Sequence, residues 1–280
     1  MNKMKCVFQY EDLLDIECTE QGIPKLIMQT WKTYDVPIEW KHGQYTVQSK
    51  FDSWKYYFMT DSENQRFVDN FFPHYSVPFK LLKYPIQRAD AIRYMFLYEF
   101  GGMYMDLDFE VIRNFEEILH SLKGPLILIH SGNVHWCLTN SLIICKPKQT
   151  VFLKMLEHCF DPKLPWYYVG KHIQVMFSTG PMAFHNCITN HNEPYVVLPR
   201  KLFMPLKEPE TDQTYLKCLA GGTWNSIDSF VLNFLLQYKK EIAWCLGLFV
   251  LIIIRGHIYY KFKTNVLMKI LRKYKSKQSR

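Results

Sequence analysis

Apolar and polar positions along this chain follow two rhythms. Short apolar runs bounded by turn residues predict buried strands: LIM at the centre of GIPKLIMQTW (22–31), SWKYYF (53–58), LILIH (126–130), NSLIIC (140–145) and a late strand over 195–198. Helical periods lie between them. A short helix spans 65–72, ended by Pro73 and preceded by the turn residues 61–64. The clearest helix spans 85–100, with Pro85 suited to a first turn and Gly101-Gly102 to a C-terminal cap. Residues 103–109 alternate as a strand, and 149–160 form an amphipathic helix. Strands alternating with helices predict a layered α/β fold, its central sheet mostly parallel and flanked by helices.

Composition changes this picture only at the end of the chain. With 280 residues and 48% hydrophobic positions, the chain can bury a large core. Its formal charge is +8, and residues 261–280 carry Lys261, Lys263, Lys269, Arg272, Lys273, Lys275, Lys277 and Arg280 with no acid. The remainder is close to neutral, which argues against a nucleic-acid partner. The basic tail reads as a solvated end or a contact for anionic lipid headgroups. Before it, 242–254 is an unbroken apolar run, interrupted by Arg255, Gly256 and His257. A spanning helix needs ~20 residues, so this segment is a spanning or deeply inserted helix if the interruption is tolerated, and a buried or interfacial one otherwise. The expected organisation is a catalytic domain over 1–230, an apolar membrane-associated segment over 231–262 and a basic tail over 263–280. The first twenty residues hold no sustained apolar stretch, so no cleavable signal peptide is expected. The eight cysteines form no CxxC pair and read mainly as buried thiols.

The candidate chemistry lies in GGMYMDLDFE (101–110). On an extended strand Asp106 and Asp108 share a face. They sit at a carboxyl-terminal strand end, where open α/β sheets bind ligands. Two such carboxylates repel, and a hard divalent cation, magnesium or manganese, would relieve them. A solvated acidic pair is the plainer reading. A calcium loop is excluded, because Val111 stands where its turn needs glycine. Upstream, Asp90 and Arg93 share a face of a helix that is apolar nearly all round. A helix of that kind is buried and its charges need partners. They form a structural ion pair, or they face the cleft of Asp106 and Asp108, with Asp90 accepting from sugar hydroxyls and Arg93 balancing a carboxylate or phosphate.

IPKLIMQTWK, RADAIRYMFLYEFGGMYMDLDFE, NSLIICKPKQTVF, STGPM and GGTW follow in that order over roughly residues 23–224. This ordered set resembles glycosyltransferase family 32, the DXD-containing sugar transferases, which include fungal α-mannosyltransferases acting on inositol phosphorylceramide. The resemblance implies a GT-A fold, a nucleotide-sugar donor, Mn2+ or Mg2+, and transfer with retention at the anomeric carbon. It implies that Asp108 ligates the metal, and that Asp106 bridges ribose and metal. Asp90 and Arg93 would hold the donor sugar, and Asn140 would stand near the reacting centre. Trp31 would stack on the nucleobase, although a core tryptophan fits its position equally. Ser178, Thr179 and Gly180 would line the acceptor side. Gly222 and Trp224 would close over the diphosphate, with Lys171 a further candidate there. Met28 stands where many members have histidine. The expected activity is transfer of a hexose, mannose first, from GDP-mannose to a lipid or glycan acceptor such as inositol phosphorylceramide. The expected location is a Golgi or ER membrane. A UDP-hexose enzyme acting on glycan or protein, and a catalytically silent subunit serving a membrane partner, are the alternatives.

Overall fold

The computed structural model describes residues 16–131, 136–203, 211–219 and 221, and nearer the C-terminus 227–231, 238, 240–241, 243–251, 253–255 and 261. The chain divides into two compact units, Met1–Trp224 and Asn225–Arg280.

The first unit is built on a six-stranded sheet of β1 (Leu26–Thr30), β2 (Lys55–Met59), β3 (Gly102–Met105), β5 (Leu126–His130), β6 (Leu138–Cys145) and β7 (Val196–Val197), in the order β2-β1-β3-β6-β5-β7. β6 alone runs antiparallel to its neighbours, and the other five strands share one direction. β4 (Phe109–Val111) and β8 (Leu216–Cys218) form a separate two-stranded sheet.

Both faces of the main sheet are covered, which is why its strands are mostly apolar. Leu26, Met28, Tyr104, Leu126, Leu128 and Ile143 point into one core, where α2 (Asp61–Phe71), α4 (Pro85–Phe100), α6 (Thr150–Phe160) and α8 (Pro181–Thr189) pack. Their strand neighbours Ile27, Met103, Met105, Ile127, Ile129 and Ile144 point into the other, closed by α1 (Ile38–Lys50), α5 (Glu116–Ser121), α9 (Arg200–Phe203) and the small sheet. The alternation follows from the two-residue side-chain period of a strand. Each fully buried side chain of this size contributes about 1.5–3 kcal/mol.

Two boundaries differ from the sequence expectation. The residues read as a turn at 61–64 already belong to α2. Thr60 caps it: Glu63 Oε2 accepts from Thr60 N–H at 2.7 Å and from the Thr60 hydroxyl at 2.8 Å. This reciprocal cap satisfies donors that a helix start leaves open. α1 carries almost no amphipathic signal and was not legible in the sequence. It is held instead by Trp40, Thr46 and Val47, buried on one side.

α4 begins at Pro85, with Gln87 Oε1 accepting from Tyr84 N–H at 3.0 Å, and stops at a glycine pair. Gly101 has φ +66° and Gly102 φ +86°, and a Cβ on Gly102 would lie 2.4 Å from the Leu26 carbonyl oxygen. Only glycine supports both demands, so β3 starts immediately beside β1.

In the second unit, helical residues within 240–255 expose large apolar side chains, among them Trp244, Phe249 and Ile253. Among the described residues no helix is long and apolar enough to cross a membrane. Much of the apolar segment expected at 231–262, and all of the tail at 263–280, lies outside the described residues.

Candidate active site

β3 delivers the acidic pair, but not as one continuous strand. Asp106 N–H donates to the Ser141 carbonyl at 2.8 Å, keeping pace with β6, and the chain turns at 107–108. The expected strand over 103–109 is therefore two pieces, β3 in the main sheet and β4 in the small one. Leu107 gives the physical reason. It is buried in a small apolar cluster with Val36, Trp40 and Phe58, and anchoring it there pulls the backbone out of the main sheet. Asp106 and Asp108 consequently line one cleft without sharing a strand face, together with Thr30, Trp31, Trp40, Ile86, Ala89, Arg93 and Tyr104.

Arg93, 3% exposed, is the junction behind the pair. Its guanidinium donates to Asp90 Oδ1 at 2.9 Å, to Asp106 Oδ1 at 3.1 Å and to the Asn140 carbonyl at 2.7 Å, and its Nε donates to the Ala89 carbonyl at 3.2 Å. It also lies over the Tyr104 ring, 4.4 Å from the centroid, while the Tyr104 hydroxyl donates to Asp106 Oδ1 at 2.6 Å. The two sequence readings of Asp90 and Arg93 thus merge: they form a buried ion pair, and Arg93 carries that pair to the cleft.

Asp90 sits one layer deeper. Oδ1 also accepts from Asn140 Nδ2 at 3.0 Å, and Oδ2 accepts from the Thr179 hydroxyl at 2.8 Å. Asn140 Nδ2 donates its other hydrogen to the Tyr94 hydroxyl at 2.7 Å, which in turn donates to the Thr179 carbonyl at 2.8 Å. Ser178 accepts from Gln87 Nε2 at 2.9 Å. Asp90, Asn140, Ser178 and Thr179 are all nearly inaccessible, and Gly180 starts α8 with its Cα hydrogens against the Val175 carbonyl. These residues brace the cleft wall from behind. Gly222 and Trp224 lie outside the described residues.

Trp31 stands in the cleft wall and not in the core. Its ring meets Trp40 edge-on at 5.1 Å, and Lys32 Nζ lies 5.1 Å from its centroid. Sequence reasoning missed Tyr104, Trp40, Ala89 and Gly221. For Tyr104 a signal existed, since two-residue alternation puts it on the side of Asp106.

Burial pushes the Asp108 carboxyl up to about 7, helped by the charge of Asp106. Burial also raises Asp106, against the pull of Arg93, and raises Asp90 to about 6. Among the described residues no side-chain donor reaches Asp108 or the second oxygen of Asp106. Two desolvated carboxylates with open lone pairs, and no third acidic ligand among the described residues, fit a hard divalent cation whose remaining positions are filled by ligand oxygens and water. Asp108 must lose its proton to ligate, so affinity should rise with pH by up to about tenfold per unit below about 7 and level off above it. Manganese titrations between pH 5.5 and 8.5 would measure this, and a flat profile would remove Asp108 from the ligand set.

The small sheet closes the site from the far side. Leu219 N–H donates to the Asp108 carbonyl at 2.6 Å, and a Cβ on Gly221 would fall 1.8 Å from Asp108 Oδ2 and 2.9 Å from Cγ. Residue 221 must therefore lack a side chain if Asp108 is to keep its place. Gly221→Ala should leave the fold melting within a few degrees of wild type, yet lower manganese affinity by about tenfold or more through displaced Asp108. Unchanged affinity in a titration would show that the carboxylate moves aside freely.

The main sheet thus ends one strand in an acidic pair, backed by a buried arginine and flanked by an open indole. Residues 14–123 match the model of the glycosyltransferase sugar-binding region containing a DXD motif. The chain is similar to a mannosyl phosphorylinositol ceramide synthase of Saccharomyces cerevisiae, 28% identical over 235 residues, covering 82% of this chain and 59% of that one. A second such synthase of that yeast is 34% identical over 162 residues, covering 58% and 41%. An inositol phosphoceramide mannosyltransferase of Schizosaccharomyces pombe is 29% identical over 161 residues, covering 58% and 43%. The chain therefore spans between two fifths and three fifths of these relatives' lengths.

Proposed function

We propose that this chain is a metal-dependent, retaining GT-A-type glycosyltransferase that moves mannose from GDP-mannose to an inositol phosphorylceramide-type lipid. The observation that carries the reading is the Arg93 junction, which holds Asp106 in place and leaves the Asp108 carboxylate open to the cleft. The relatives named as a mannosyl phosphorylinositol ceramide synthase and as an inositol phosphoceramide mannosyltransferase support the choice of sugar and acceptor. The exposed apolar side chains between Trp244 and Ile254 support attachment to a membrane, where a lipid acceptor resides.

Asp108 and the free oxygen of Asp106 would hold Mn2+ or Mg2+, which supplies charge neutralisation for a departing diphosphate. The chain's own residues do the rest. Trp31 offers a face for the base. Arg93, fixed from four sides, favours the ionised form of Asp106 against its burial and keeps it aligned, so little reorganisation is needed when charge develops. Asp90, Asn140 and Thr179 keep Arg93 oriented through their hydrogen bonds. Among the described residues no carboxylate lines the cleft besides Asp106 and Asp108, so we favour a front-face route in which the leaving phosphate takes the acceptor hydroxyl proton.

The test is donor hydrolysis and transfer by the full chain in detergent with manganese, across GDP-mannose and UDP-hexoses. The expected result is turnover of GDP-mannose, lost in Asp106→Asn/Asp108→Asn. Turnover of a UDP-hexose instead would replace the proposed donor. No turnover of any donor, even with inositol phosphorylceramide present, would leave a silent subunit.

A further inference from the structure

A second cavity adjoins the cleft of the acidic pair. It shares Thr30, Trp31, Ile86 and Ala89 with that cleft, and adds Lys32, Asp61, Pro85 and Lys171. The two meet at the wall formed by Trp31 and its neighbours. A nucleoside diphosphate whose diphosphate lies at Asp106 and Asp108, and whose base reaches Trp31, would turn its base edge toward this cavity. Asp61 is the acidic group on its wall.

We infer that Asp61 is the residue that reads the nucleobase, and that it selects guanine. The inference rests on the donor-binding reading above and gives it a discriminating residue. A carboxylate accepts only. The Watson–Crick edge of guanine offers two adjacent donors, N1–H and the exocyclic amine, which match the two oxygens of one carboxylate. Uracil offers a single N3–H between two carbonyl oxygens, and both carbonyls would face the negative charge. A site built on such a pair rejects the wrong base by leaving polar groups unpaired.

Three features of Asp61 fit that role. Its place is fixed, because it is the first residue of α2 and its backbone N–H donates to the Lys32 carbonyl at 3.3 Å. No hydrogen bond or ion pair engages its carboxylate among the described residues, so its acceptors are free. Partial burial raises its pKa, while Arg88 and Lys32 pull the other way. The carboxylate stands exposed on the cavity wall, where a ligand with two donors can engage both of its oxygens.

The experiment is calorimetric binding of GDP, UDP and xanthosine diphosphate to the full chain in detergent with manganese, for wild type, Asp61→Ala and Asp61→Asn. Wild type should bind GDP at least about tenfold tighter than UDP, the scale of hydrogen bonds to a charged group. Asp61→Ala should abolish that preference. Asp61→Asn should weaken GDP and tighten xanthosine diphosphate, because the new amide can accept from N1–H and donate to the O2 that replaces the guanine amine. A purely structural role for Asp61 would not create that gain. Equal wild-type binding of GDP and UDP, a preference for UDP, or variants that keep the GDP preference would each overturn the inference and leave the nucleotide-sugar reading standing. Binding of no nucleotide by folded wild-type protein would overturn that reading, and the inference with it.

Discussion

Replacing Asp108 by asparagine is expected to lower donor turnover by about three orders of magnitude, the scale of the several kcal/mol of charge stabilisation a bound cation supplies. The same change should make the metal-free protein more stable at alkaline pH. In the folded state the Asp108 carboxyl titrates near 7, above its unfolded value of 3.8, because it is buried beside Asp106. The native state therefore favours the protonated form. That contribution is complete below about 4, shrinks as pH rises, and is gone above about 7. An amide carries no such charge, so the variant should show a flatter decline of melting temperature between pH 5 and 8. Some slope should remain, since Asp90 is raised to about 6 by burial and contributes with the same sign. Thermal melts across this range, with and without manganese, would check both halves. A variant that keeps wild-type turnover while folded would end the metal assignment.

Arg93→Met carries the largest expected cost in stability, about 3–5 kcal/mol, because it leaves a buried charge without its partner. Asp90 is 3% exposed and would keep only the neutral donors Asn140 and Thr179. Asp106 would lose its only cationic partner among the described residues and keep the Tyr104 hydroxyl. The loss should be greatest near pH 8 and smaller at pH 5, where Asp90 is mostly protonated even in the wild type. Denaturant titrations at the two pH values would measure it. Equal losses would assign the cost to packing against Tyr104 and not to charge. Arg93→Lys should recover only part, since a single ammonium cannot reach Asp90, Asp106 and the Asn140 carbonyl together as the planar guanidinium does.

Much of the fold could be read from the residues. LILIH and NSLIIC are strands, and the helix 85–100 begins at Pro85 and ends before Gly101. These elements obey local rules: apolar runs, a proline where no N–H is needed, glycines where φ must be positive. The elements that escaped obey no local rule strongly. α1 has little amphipathic pattern, and α7 (Lys171–Ser178) and α8 follow so closely that no single period emerges. The site was legible as a set of residue types. Its layering was not: the ion pair that the helix suggested for Asp90 and Arg93 is present, and Asn140 and Thr179 bond to Asp90 behind the cleft.

By itself the sequence determined the α/β class, the acidic pair and the family that the pair resembles, because strand runs, the glycine turn and DLD are properties of neighbouring residues. Only the tertiary structure decided how the pair is presented. Burying Leu107 breaks the strand between the aspartates, and Arg93 reaches Asp106 across thirteen residues of chain. Gly221, from the far end of the unit, closes against Asp108. These outcomes depend on close packing and on the cost of leaving a buried charge unpaired, which link residues distant in the chain and leave no periodic trace in it.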